Sequence, residues 1–145
     1  MRFTRETVGA SSASMFLVND CEPRVLQGVV SEWDWTRTSF PSSLAEWPTV
    51  ASALETGELR TISSTEAALA EAEWFEARGI ARTVCVPLRG DAGPIGVLFF
   101  DFDASAACDA AALAALADTG RRCARALTRA ATTTTMTTTE TACAS

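Results

Sequence analysis

The strongest constraint on this chain is the stretch 82–102, RTVCVPLRGDAGPIGVLFFDF. Two long apolar runs flank a short Gly/Asp turn, a pattern that predicts a β-hairpin. Val84, Val86 and Leu88 alternate with Thr83, Cys85 and Pro87. Leu98, Phe100 and Phe102 alternate with Ile95, Val97, Phe99 and Asp101. A strand wetted on one side alternates apolar with polar residues. These strands are apolar on both sides, so the hairpin belongs in the middle of a sheet covered on both faces. What covers each face, and whether one cover encloses a ligand, is the functional question.

The 145 residues make one domain, long enough to bury about two-thirds of its unfolded surface. No apolar run approaches the ~20 residues that span a bilayer. The N-terminus lacks the apolar core of a signal peptide, so a cytoplasmic location and no membrane partner are expected. A net charge of −6 argues against nucleic acid as a partner, because phosphate binding needs a basic surface. The basic residues are all Arg. The absence of His removes the commonest metal ligand and the usual general base, and with them any Ser-His-Asp or Cys-His arrangement. Five cysteines, at 21, 85, 108, 123 and 143, lack CxxC spacing, which argues against a disulfide framework or a zinc site. No metal and no cofactor are expected, and no catalytic constellation is visible. The chain reads as a non-enzyme.

Before the hairpin, residues 1–9 read as a helix end or lead-in and 14–19 as a strand. A turn at 20–23 leads into a second strand at 24–30, where Gly28 marks a bulge or a close backbone approach. Residues 31–48 have no clean period and hold Trp33, Trp35, Phe40 and Trp47. Those aromatics either plug the core or line a pocket wall. A short helix is predicted over 49–55 with Thr49 as N-cap and Gly57 as stop, and an edge strand over 59–63. A second helix is predicted over 65–78, capped by Thr65 and ended by Gly79. Beyond Asp103, a long Ala-rich helix runs from an Asp109 cap to about 131. Its Leu113, Leu116, Gly120, Cys123 and Leu127 form a seam at alternating three and four spacing. Small residues at 120 and 123 would admit another helix. The domain is placed at 1–131. The Thr-rich tail 132–145 is low in complexity and expected to be disordered.

The order β-β-(aromatic segment)-α-β-α-β-β-α, with GASSASMFLVND, ALETGELRTIS and VPLRGDAGPIGVLFFDF before the terminal helix, resembles a GAF domain, a sensory module of the GAF/PAS-like superfamily. The resemblance covers roughly 8–130. It implies an α+β fold, a central antiparallel sheet of five or six strands. The terminal helices lie on one face, and loops and short helices cover a pocket on the other. It also implies pairing of protomers, here as a homodimer through the C-terminal helix. Several known chemistries of the family lack their residues. A bilin-attachment Cys-His pair is replaced by Leu69-Ala70-Glu71. The Asn-Lys-Phe-Asp-Glu signature of cyclic-nucleotide binders has no equivalent, a haem His is missing, and Cys85 and Cys108 do not reproduce the reductase cysteines.

By that resemblance, Thr83, Cys85, Phe99 and Asp101 would face the pocket. Trp74 would look into it, and Trp47 and Leu17 would join its walls. Val84, Val86, Leu98 and Phe100 would face the helices. Asp101 is either a strand-end residue reaching water or capping a turn, or an anchor for a cationic or hydrogen-bonding ligand. Cys85 is either a small core filler or a reactive thiol. The implied function is a sensory or regulatory domain that binds an unidentified small ligand or relays a signal through its terminal helices. A ligand-free dimerisation module, packed solid by Trp47, Trp74 and Phe99, is the first alternative. A thiol redox sensor or reductase pairing Cys85 with Cys108 or Cys123 is the second. With no kinase, cyclase or DNA-binding segment after 131, output is expected through an effector protein or a larger chain.

Overall fold

The central hairpin forms as its alternation requires. β4 (Arg82–Gly90) and β5 (Gly93–Phe102) pair antiparallel around the turn Asp91-Ala92. The structure, a computed structural model, describes residues 2–19, 25–31, 44–67, 72–73, 75–76 and 79–142. For 2–4, 25, 27–31 and 132–142 it describes the backbone alone. Trp33, Trp35, Phe40, Trp74, Cys21 and Cys143 lie outside the described residues or side chains.

Among the described residues, β5 sits at the centre of a five-stranded antiparallel sheet. β1 (Ser12–Asn19) pairs with its far edge, β2 (Val25–Ser31) lies beyond β1, and β3 (Arg60–Ser63) lies beyond β4. The count falls within the expected five or six strands. Met15 pairs with Val30 but Phe16 with Gly28, so the strand bulges beside Gly28. A second register shift follows Leu88, where Arg89 pairs with Pro94 and Ile95 is skipped. The extra residue reverses the side that Ile95 takes. Strict alternation placed it with Val97 and Phe99; instead it packs with the opposite core.

The two faces carry two separate cores. One holds Val84, Val86, Leu88, Leu98, Phe100 and Phe102, covered by α1 (Arg2–Val8) and α3 (Ala110–Ala142) through Val8, Leu116 and Ala124. The other holds Phe16, Ile62, Cys85, Val97 and Phe99, covered by α2 (Pro48–Thr56) and by Trp47 and Phe75. Terminal helices therefore lie on one face and short helical segments on the other.

Helix ends follow sequence chemistry with three exceptions. Asp109 caps α3, its Oδ1 accepting the Ala112 N–H at 2.8 Å. α2 stops at Gly57, φ 74°, whose N–H donates to the Ala53 carbonyl at 2.9 Å. Gly79 and Ile80 donate to Glu76 and Phe75, the paired bonds that close a helix with a left-handed glycine. Thr49 is not a cap: Pro48 takes the first helical position and Trp47 precedes it without a side-chain capping bond. Proline's fixed φ and missing N–H suit that position and shift the start. Thr65 likewise stands in a turn over 64–66, where Ser63 Oγ donates to Glu66 Oε2 at 2.7 Å. α3 runs to Ala142, past the expected end near Ala131 and through most of the Thr-rich segment.

The seam of α3 meets the sheet. A Cβ placed on Gly120 would lie 2.6 Å from Val86 Cγ1, so the small residue lets the helix settle on β4. That space is therefore used by the sheet and is closed to a second helix. At Gly96 a Cβ would collide with the Phe16 carbonyl oxygen on the neighbouring strand. Backbone cannot rotate away as a side chain can. Gly96→Ala is expected to cost about 1–3 kcal/mol, read as a lower urea midpoint with an unchanged slope. Gly120→Ala is expected to cost less, because alanine returns about 1 kcal/mol of helix propensity.

Candidate functional site

Strand register assembles a polar row at one end of an otherwise apolar face. Asp101 pairs with Ser12 on β1 and Thr83 on β4, so three side chains from three strands point to one side. Thr83 Oγ1 donates to Asp101 Oδ1 at 2.7 Å and Ser12 Oγ to Oδ2 at 2.5 Å. The Asp101 carbonyl accepts the Ser11 N–H and hydroxyl at 2.8 and 2.9 Å. Asp101 is fully buried. A carboxyl moved from water into an apolar layer costs several kcal/mol unless hydrogen bonds replace the lost solvent, and the two hydroxyls do so here. Asp101 therefore neither reaches water nor caps the following turn. That turn is closed by Asp103, whose carboxyl is held below its ordinary value by the Ser105 hydroxyl and N–H.

The next row pairs Ser14 with Phe99 and Phe99 with Cys85. Ser14 is 1 % exposed, and its hydroxyl has no hydrogen-bond partner among the described residues. Phe99 packs edge-on against Phe16, ring centres 5.5 Å apart. Thr83, Cys85, Phe99 and Asp101 thus share one face, as expected, and Trp47 joins the core over it. Leu17 does not. It pairs with Gly96 and shares the side of Ala13 and Met15, turned toward the helices. Phe16 and Val18 take the place expected of it. Parity along β1 is set by pairing with β5, which local sequence does not contain. Trp74 lies outside the described residues.

The buried row is sealed, and open space lies at the other end of the same face. A cleft of ≈ 410 Å³ is bounded by Val18, Leu44, Ala45, Ala51, Leu54, Glu55, Arg89 and Pro94. Arg89 stands at the hairpin tip, and its Nη1 donates to the Leu54 and Glu55 carbonyls at 3.1 and 2.9 Å. It thereby satisfies carbonyls that the last turn of α2 leaves open. The sequence signals for this site were weak. Ser12 and Ser14 flank Ala13 at strand spacing, a readable polar alternation, but nothing local links Arg89 to α2.

Among the described thiols, Cys85 shares its face of the sheet with neither Cys108 nor Cys123. Cys85 is buried in the α2-side core, whereas Cys108 and Cys123 pack on the α3 side of the sheet. Side chains pointing to opposite faces cannot be bridged without rebuilding the backbone. Cys123 lies about 20 Å along α3 from the helix start near Cys108, at 1.5 Å per residue. Burial pushes the Cys108 thiol up, against the pull of Arg82 and with a smaller push from Asp109.

Neither protein-family models nor curated proteins gave a match. Solved structures did. The chain is similar to the GAF domain/HD domain protein from Geobacter sulfurreducens, at 13% identity and TM-score 0.72, covering 88% of this chain and 86% of that one. It is similar to the GAF domain of a two-component sensor histidine kinase from Bacillus halodurans, at 14% identity and TM-score 0.67, covering 89% and 91%. It is also similar to the GAF domain of the cyanobacteriochrome TePixJ, at 12% identity and TM-score 0.70, covering 88% and 84%. The fold is that of GAF domains. Among the described residues no helix is long and apolar enough to cross a membrane.

Two measurements test the buried row and the thiols. Thr83→Val is expected to lower unfolding stability by about 1–3 kcal/mol, because a buried carboxyl oxygen loses its donor. Ser14→Ala, which removes an unpartnered hydroxyl, is expected to be neutral or slightly stabilising. Equal losses in urea unfolding would contradict this geometry. Iodoacetamide labelling of Cys108 is expected to be slower than that of a free thiol at pH 7.5. Its rate should keep rising with pH beyond the ordinary thiol range, because the raised value keeps the thiolate scarce.

Proposed function

We propose that this GAF-fold chain is a non-enzymatic sensory or regulatory module that binds a small ligand in the cleft beside α2 and signals through α3. The structural neighbours that include a sensor-kinase GAF domain and a cyanobacteriochrome support the sensory part. One observation carries the ligand part: the cleft and α3 meet adjacent residues of the hairpin tip. Arg89 lines the cleft and holds the end of α2. Gly90, the next residue, approaches α3 so closely that a Cβ there would lie 3.1 Å from Thr128 Oγ1. A ligand that moves Arg89 would act on α3 through one peptide unit. In this reading α3 also pairs protomers, and output passes to an effector.

The closed floor formed by Trp47, Cys85 and Phe99 favours a second reading, a dimerisation module that takes no ligand. Native mass spectrometry of the protein purified from its own host separates the two. The ligand reading expects a bound small mass that disappears in Ala51→Phe, which fills the cleft. A dimer without bound mass supports the second reading. A bound mass that survives Ala51→Phe overturns the cleft as its site.

A further inference from the structure

We propose that the cleft beside α2 takes a free α-amino acid with an apolar side chain. This rests on the ligand-binding reading above and names the ligand's chemical class.

Two residues of opposite charge, Glu55 and Arg89, line the same space as Val18, Leu44, Leu54 and Pro94. Among the described residues neither has an ion-pair partner, and they do not pair with each other. Arg89 is held where it is by its Nη1, which is committed to the two α2 carbonyls. A guanidinium has five N–H groups in a planar fork. Among the described residues the Nε and Nη2 groups are uncommitted, and that edge matches a carboxylate in bidentate geometry.

Glu55 stands in the last turn of α2. The negative end of the helix dipole disfavours an anion there, and a bound cation offsets that repulsion. An ammonium group at Glu55 and a carboxylate at Arg89 satisfy both charges, and the apolar walls take a hydrocarbon side chain. A lone acid would leave Glu55 facing a second anion; a lone amine would leave the guanidinium edge unused. A zwitterion brings no net charge to a chain of net charge −6. The ≈ 410 Å³ of the cleft falls in the range of small-molecule sites.

Isothermal titration calorimetry on the full chain tests this with L-valine, L-leucine, L-methionine and L-phenylalanine. Each is compared with the corresponding acid lacking the amino group and the amine lacking the carboxylate. At least one amino acid is expected to bind at least tenfold tighter than both of its analogues. Glu55→Gln is expected to weaken that amino acid at least tenfold and leave the acid analogue unchanged. Ala51→Phe should abolish binding of all three. Glu55 is exposed, so the variant should fold, with thermal melts as the check. Equal affinities for the amino acid and either analogue, an unchanged affinity in Glu55→Gln, or no binding at millimolar concentration overturns the proposal. If no amino acid binds but the native spectrum shows a cleft-dependent mass, the class fails and the ligand reading stands. If both are absent, both fail.

Discussion

Everything in this fold depends on β5 being shared. It is paired along both edges, by β1 and β4, and its side chains enter two different cores. A strand so placed has no wet face that would tolerate slippage. A one-residue shift would drive Asp101 into the layer of Phe100 and Leu98 and bring those side chains to the α2 side. The hydroxyls of Ser12 and Thr83 add a directional lock, because they meet Asp101 only in the observed register. Apolar burial, which is not directional, drives the layers together. The polar row selects one alignment of three strands.

Small residues then decide how closely the layers approach. Gly96 admits the β1 backbone and Gly120 lets α3 rest on Val86. The two faces end up functionally unequal. The α3 face is floored by large side chains of β4 and β5 and covered by a long helix. The α2 face is covered by short elements, and its open cleft lies where those elements meet the hairpin tip. Arg89 and Gly90 join that tip to α2 and α3 respectively. The hairpin is thus both the centre of the fold and in reach of both layers.

Much of this was legible because the signals are local. Alternation in 82–102 predicted two buried faces, and Val84, Val86, Leu98 and Phe100 occupy the side expected of them. Asp109, Gly57 and Gly79 end or begin helices by backbone chemistry that needs no distant partner. Where expectation failed, a non-local term or a stronger local one intervened. Leu17 turned away because its parity is set by β5. Ile95 changed sides through a bulge, and Pro48 displaced Thr49 as the start of α2. Gly120 reads as helix-contact chemistry in sequence but serves a sheet contact.

By itself the sequence determined the class of fold, the central hairpin and the division of its residues into two faces. Those follow from periodicity and burial, which each residue carries with its neighbours. Tertiary structure alone decided that Ser12 and Thr83 meet Asp101, that Cys85 is walled off from Cys108 and Cys123, and that Glu55 and Arg89 share a cleft. Each of these joins residues far apart in the chain, and the register that joins them is a property of the whole sheet.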